Sequence, residues 1–120
     1  MHIILTGVHI EITDAIRRYT LDKMRTLEKL VDHTDTSAKL NIEISKASNH
    51  HVNGQVFQAE AVLHLRGKET ALRTTQDDLY KAIDILKDML TRELSQYKDK
   101  ERSIMRRGAH KVKALFKKLS

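Results

Sequence analysis

A chain of 120 residues suits one folded domain and is hard to divide into two with separate cores. It has no cysteine, which excludes a disulfide framework or a thiolate metal site, and with no proline and four glycines it is not a low-complexity chain. Aromatics make up only 4%, so aliphatic side chains must build the core, and the formal net charge is +6.

His2 to Gly7 alternates, with Ile3 and Leu5 on one face, as in a short half-buried strand. Thr13 offers a capping hydroxyl and Asp14 an anion at the first turn of a helix. Ile16, Tyr19, Thr20 (in part), Met24, Leu27, Leu30 and Val31 mark one face of that helix, which is predicted to run to about Asp32. Asp32-His33-Thr34-Asp35 reads as a turn. Ala38, Leu40, Ile42 and Ile44 alternate with Lys39, Asn41, Glu43 and Ser45, the clearest strand in the chain. The polar stretch from Lys46 to Gln55 contains Asn53-Gly54 and reads as a loop or loose hairpin. Phe57, Ala59, Ala61, Leu63 and Leu65 mark a third strand. Arg66-Gly67 predicts a tight turn with glycine at positive φ, and Thr70, Leu72 and Thr74 carry the fourth strand. Asp77 or Asp78 opens a second helix, with Leu79, Ile83, Leu86, Leu90, Leu94 and Tyr97 as its buried stripe and an end near Lys100.

The order β-α-β-β-β-α allows a right-handed parallel crossover followed by a meander. Each strand has one apolar face, so both helices are expected on one side of a four-stranded sheet. Residues 1–100 therefore read as an α+β two-layer sandwich. Residues 101–120 read as a basic amphipathic C-terminal extension. It holds seven Lys/Arg and one acid, Glu101, which leaves fifteen of each sign in the first hundred residues. The extension thus carries the whole charge excess, and a polyanion is its natural partner. Ile104, Met105, Ala109, Val112, Leu115, Phe116 and Leu119 recur there at helical spacing. A third helix is expected, loosely attached or ordered only on binding, with Gly108 weakening it by about 1 kcal/mol.

At this point the residues resemble a family. Ile3-x-Leu5-Thr6-Gly7, then Glu11-Ile12-Thr13-x-Ala15-Ile16-Arg17, Lys23 and Leu27-Glu28, are similar to the first half of short ribosome hibernation promoting factors and of the related ribosome-associated inhibitor, protein Y. Asp78-Leu79-Tyr80-x-Ala82-Ile83-Asp84 is the most recognisable segment, continued by Arg92, Leu94 and Lys98-Asp99-Lys100. The resemblance covers residues 1 to about 100. It implies two helices on a four-stranded sheet and a non-catalytic protein that binds 16S rRNA of the small ribosomal subunit, in the cleft between head and body. There such a protein overlaps the places of messenger and transfer RNA, stops translation by occupancy and stabilises idle ribosomes, single or paired. Met89 and Gln96 stand where short members often carry lysine. The extension is basic where protein Y-type members are acidic, and the chain is too short to hold the pairing domain of long members.

By this resemblance, rRNA contact falls first to Lys23, Lys87, Arg92, Lys98 and Lys100, and next to Arg17, Arg25 and Lys29. Each cation that meets a phosphate releases a condensed counterion, so binding is favourable and salt-dependent. Arg18, Arg25 and Lys29 lie within about 40° of one another on the first helix. Lys23 falls inside the apolar stripe, where its stem can follow the core edge while its ammonium reaches out between the helices. Lys87 and Lys98 share a flank with Tyr80, whereas Arg92 and Lys81 lie outward among Asp84 and Asp88. Against this, a charged residue on an outer helix face is most often only solvated. Asp88–Arg92 and Arg25–Glu28 are candidates for surface pairs worth ~0.3–0.5 kcal/mol. Tyr80 can stack on a base or cap the core beside Ile83, and the second is favoured. On the outer sheet face Glu43 and Glu60 offset Lys39, His64 and Arg73.

Two other classes compete. One is a general structured-RNA-binding module; the other is a membrane or protein adaptor working through the extension. The seven histidines include no helical i, i+4 pair, and the glycines form no phosphate-cradling loop, so neither a metal nor a catalytic site is expected. No cofactor and no small-molecule substrate are expected either. No run approaches the ~20 apolar residues of a spanning helix, and Met1 to Thr6 lacks the charged start of a secretory signal. The expected setting is the cytoplasm, with no membrane partner and a monomer away from the ribosome.

Overall fold

The computed structural model describes residues 1–49 and 54–119. In chain order these form β1 (His2–Val8), α1 (Asp14–Arg25), a 3-10 turn (Thr26–Leu30), β2 (Lys39–Asn49), β3 (Gly54–Leu65), β4 (Lys68–Gln76) and α2 (Leu79–Leu119). The sheet order is β1-β2-β3-β4, with β1 and β2 parallel and the other pairs antiparallel. The register stacks Ile3, Leu40, Leu63 and Thr70 in one row and Leu5, Ile42, Ala61 and Leu72 in the next. These rows face the helices. Leu40, Ile42, Ile44 and Leu63 are buried with Met24, Leu27, Ile83, Leu86, Leu90 and Leu94 from the helical layer. Ala59 and Ala61, both fully buried, keep the middle of β3 low beneath that layer.

Local chemistry fixes the ends of these elements. The Thr13 hydroxyl accepts from Ile16 N–H (3.2 Å) and caps α1. An Asp78 carboxylate oxygen accepts from Lys81 N–H (3.1 Å), so of the two candidates Asp78 caps α2. Gly67 adopts φ 74° in the two-residue turn between Leu65 and Lys68, as expected. Gly7 has a different duty: a Cβ there would stand 2.6 Å from Ile10 O and 2.8 Å from Ile12 Cγ1. The chain leaving β1 folds back too closely for any side chain.

Three expectations change. The first helix does not run on to Asp32. Thr26 Oγ1 donates to Lys23 O (2.6 Å), a side chain competing for a helix carbonyl, and Thr26–Leu30 tightens into the 3-10 turn. Of the two readings of the polar stretch from Lys46, loop or loose hairpin, the hairpin holds, with more strand in it than expected. β2 continues to Asn49 and β3 begins at Gly54, with Lys46 opposite Phe57. Backbone ladder bonds hold these polar residues in the sheet, and Asn53 lies outside the described residues. Most consequential, no break separates a second helix from a third. α2 is one helix of 41 residues. Residues 98–107 contain no Gly or Pro, and extending an existing helix avoids the nucleation cost, so Gly108 does not interrupt it. At 1.5 Å per residue α2 is about 60 Å long, which accounts for most of the 73 Å long axis.

Candidate nucleic-acid interface

The facing flanks of α1 and α2 are joined through one carboxylate. Tyr19 donates its hydroxyl to Asp84 Oδ1 at 2.6 Å, and Lys23 Nζ lies 3.4 Å from the same oxygen. The Lys23 ammonium also stands 5.4 Å from the Tyr19 ring centroid, and Tyr80 packs edge-on against that ring at 4.8 Å. The phenol–carboxylate hydrogen bond, with burial adding to it, pushes the Tyr19 hydroxyl up to about 12. Lys23 therefore does reach out between the helices, and its side chain remains 41% exposed. Tyr80 packs on Tyr19 and still leaves 40% of its surface open.

The groove continues from this clamp. Lys87 and Lys98 follow Tyr80 at spacings that place all three within about 20° around α2. At the far end, Lys29 and Lys98 line one cavity of about 340 Å³ with His33, Arg66 and Arg102, above an apolar floor of Leu30, Val31, Leu65 and Leu94. Its acids are largely committed to holding the wall. Asp32 accepts from Thr34 N–H and Oγ1 (2.9 and 2.8 Å). Asp35 accepts from Ser37 and, at 2.8 Å, from Arg66 N–H. These hydrogen bonds hold both carboxyls below the usual range. Tyr97 OH is 2.8 Å from both Arg66 O and Glu101 Oε1, and its single proton serves one at a time.

The structure thus puts Lys29 and Lys98 on one cavity wall and Lys23 against Asp84 between the helices, with Lys87 on the flank of α2 that Lys98 and Tyr80 share. Arg92 and Lys100 point elsewhere, more than about 100° around α2 from Lys87 and Lys98. Arg17 and Arg25 are exposed on α1. Arg25 reaches Asp22 (3.9 Å) and not the Glu28 suggested by spacing, while Glu28 faces the Met1 amino group at 3.9 Å. Two cations of the cavity, Arg66 and Arg102, carry no mark in the sequence that would point to rRNA. Arg66 sits in a turn 31 residues from Tyr97 in sequence, so nothing local signals its place in the wall. On the outer sheet face Arg73 pairs with Glu60 (3.1 Å) and His64 with Glu69 (3.5 Å), both directly across strands. That face mixes both signs, Lys39 and Arg73 with Glu43, Glu60 and Glu69. Among the described residues no three His, Asp or Glu side chains gather as a metal site would require.

Two solved structures share this frame. A ribosomal subunit interface protein from Coxiella burnetii superposes with a TM-score of 0.65 at 26% identity, covering 82% of this chain and 99% of its own. The Thermus thermophilus protein Y N-terminal domain gives a TM-score of 0.62 at 28% identity, covering 81% and 99%. The fold is therefore that of ribosome-associated interface proteins. The family model described as Sigma 54 modulation protein / S30EA ribosomal protein matches residues 3–102, and the chain belongs to that family. Its curated relatives include ribosome hibernation promoting factors from Pseudomonas putida (29% identical over 91% of this chain and 98% of the relative) and Escherichia coli (31% over 83% and 96%). These relatives are named for ribosome hibernation and not for a reaction.

Proposed function

We propose that this protein is a ribosome hibernation factor that lodges in the decoding cleft of the small subunit. The groove between α1 and α2 faces 16S rRNA, and the protein blocks the places of messenger and transfer RNA and holds the ribosome inactive. The observation that carries this reading is the placement of Lys23, Lys29, Lys87 and Lys98 on the facing flanks of α1 and α2 and at the cavity between them, in a chain that belongs to this family. A-form RNA is recognised mainly by shape and phosphate position, which a rigid groove of this kind satisfies without reading bases. Residues 1–100 supply the fitted surface, and Arg92, Lys100, Arg17 and Arg25 reach phosphates outside the groove.

Co-sedimentation with small subunits, against a free RNA duplex of equal phosphate concentration, tests it. Binding is expected to favour the subunit. The triple variant Lys23→Glu/Lys87→Glu/Lys98→Glu should shallow the salt dependence by about 0.7–0.9 in log–log slope for each phosphate no longer neutralised. Equal binding to duplex and subunit would indicate a general structured-RNA module instead. An unchanged slope in the triple variant would move the interface off the groove.

A further inference from the structure

Beyond Met105, the last residue of α2 on the cavity wall, the helix leaves the body, and residues 101–118 are all exposed. This overhang holds five of the seven exposed large apolar side chains among the described residues: Ile104, Met105, Val112, Leu115 and Phe116. At 100° per residue they span an arc of about 120°, wider than the two-position seam of a coiled coil. Cations border the arc on both edges, Arg106 and Lys113 on one, Lys111 and Lys118 on the other. The opposite side carries Ser103, His110, Ala114 and Lys117, with Arg107 between it and the Lys111 edge. No acid follows Glu101. No helix among the described residues is long and apolar enough to cross a membrane, so this one suits a surface.

We propose that the distal overhang, residues 109–119, binds an anionic lipid surface. The charge pattern decides among occupants. A second copy would bring seven further cations against these with one acid, Glu101, to offset them. RNA phosphates would satisfy the cations and leave the apolar arc in water. Acyl chains bury the arc while anionic headgroups meet the cations at both of its edges. The helix is already formed as a continuation of α2, so binding does not bear the cost of nucleating it. Orientation makes the proposal specific. The centre of the arc lies within about 45° of the core-facing line of α2, so the body stands on the same side. A planar surface then meets the far end first, with α2 tilted. Leu115 and Phe116 insert, whereas Met105, on the wall of the cavity beside the body, stays out.

Flotation of the full-length protein with vesicles of seven parts phosphatidylcholine to three of phosphatidylglycerol tests this. Binding is expected to these vesicles and not to pure phosphatidylcholine. Leu115→Glu/Phe116→Glu should weaken it at least about tenfold. Met105→Glu should leave it within about twofold, and Lys113→Gln/Lys118→Gln should fall between. Circular dichroism checks that each variant keeps its helix, and Phe116→Ala provides a milder perturbation in the same direction. No binding to anionic vesicles overturns the proposal. So does binding indifferent to Leu115→Glu/Phe116→Glu, which is bare charge attraction. Met105→Glu acting as strongly as Leu115→Glu/Phe116→Glu also overturns it, since that points to a discrete protein element seated against the body. Co-sedimentation with small subunits is scored in parallel and should survive Leu115→Glu/Phe116→Glu, so failure here is distinct from failure of the ribosome reading.

Discussion

Asp84→Asn separates two roles that one carboxylate holds between the helices. The variant loses the 3.4 Å ion pair with Lys23. With both side chains more than 40% exposed, that pair falls in the range of 0–1 kcal/mol. It also converts the 2.6 Å phenol–carboxylate bond into a neutral one, because the amide oxygen still accepts from Tyr19. Bonds to charged groups contribute ~1.5–3 kcal/mol and neutral ones ~0.5–1.5, and partial exposure reduces the difference. A total loss of about 1 kcal/mol is expected, and Tyr19→Phe should lose a similar amount. In a double-mutant cycle the two should couple by about 0.5–1 kcal/mol. With a urea m-value of ~2 kcal/mol/M, each single variant moves the unfolding midpoint down by ~0.5 M. Ribosome binding supplies the second readout. Under the proposed rRNA contact Asp84 competes with phosphate for the Lys23 ammonium, so Asp84→Asn should bind small subunits as well as the parent or better, though it is less stable. Additive midpoint shifts would refute the shared clamp. A loss of subunit binding as large as that of Lys23→Ala would show Asp84 to position Lys23 and not to compete for it.

Thr20 is fully buried on α1, and its hydroxyl has no hydrogen-bond partner among the described residues. Removing an unsatisfied buried hydroxyl by the near-isosteric Thr20→Val should stabilise by about 1 kcal/mol, raising Tm by ~4–8 °C, while Thr20→Ser should destabilise; calorimetry reads both. Gly7→Ala forces a Cβ against Ile10 O and should cost ~1–3 kcal/mol in denaturant unfolding. Tyr19 ionises near 12 in the folded state and near 10 when unfolded. A raised acid is stabilised in its neutral form, so its contribution is complete below pH 10 and is lost as pH rises from 10 to 12. Ultraviolet titration should show a late-ionising phenol that disappears in Tyr19→Phe, with a flatter alkaline stability limb.

What the sequence made legible was governed by short-range periodicity. Alternation at Leu40, Ile42 and Ile44 placed β2, and the Leu79–Leu94 stripe placed the body-packed half of α2, because burial on one face leaves a regular imprint. Lys23 could be placed between the helices for the same reason: a cation inside an apolar stripe has few other exits. The misreadings lie where local chemistry competes or where distant segments meet. Thr26 takes a helix carbonyl and shortens α1, a contest between side chain and backbone that apolar spacing does not register. The polar end of β2 is held by pairing with β3, which propensity does not see. The cavity wall depends on Asp35 reaching Arg66 across 31 residues, so its cations looked unrelated.

Under the proposed function a chain with fifteen charges of each sign in its first hundred residues has to face a polyanion. Bulk attraction from so balanced a body is weak, and affinity has to come from local placement. The acids are therefore put to work elsewhere. Glu60 pairs with Arg73 on the sheet face, Asp32 and Asp35 fold the wall, and Glu93 anchors Lys68 at 3.0 Å. Lys87 and Lys98 are left facing the groove, with Asp84 as the acid held between the helices beside Lys23. On the proposed reading such a body gains from a basic extension through long-range steering, which salt screens over about 10 Å at 0.1 M, while each lysine–phosphate contact adds its own counterion-release slope. Raising ionic strength should consequently both slow association with the subunit and speed release. The α-helical continuity between body and extension makes that steering directional, because the extension's charge is carried on a rigid beam rather than a diffuse tail.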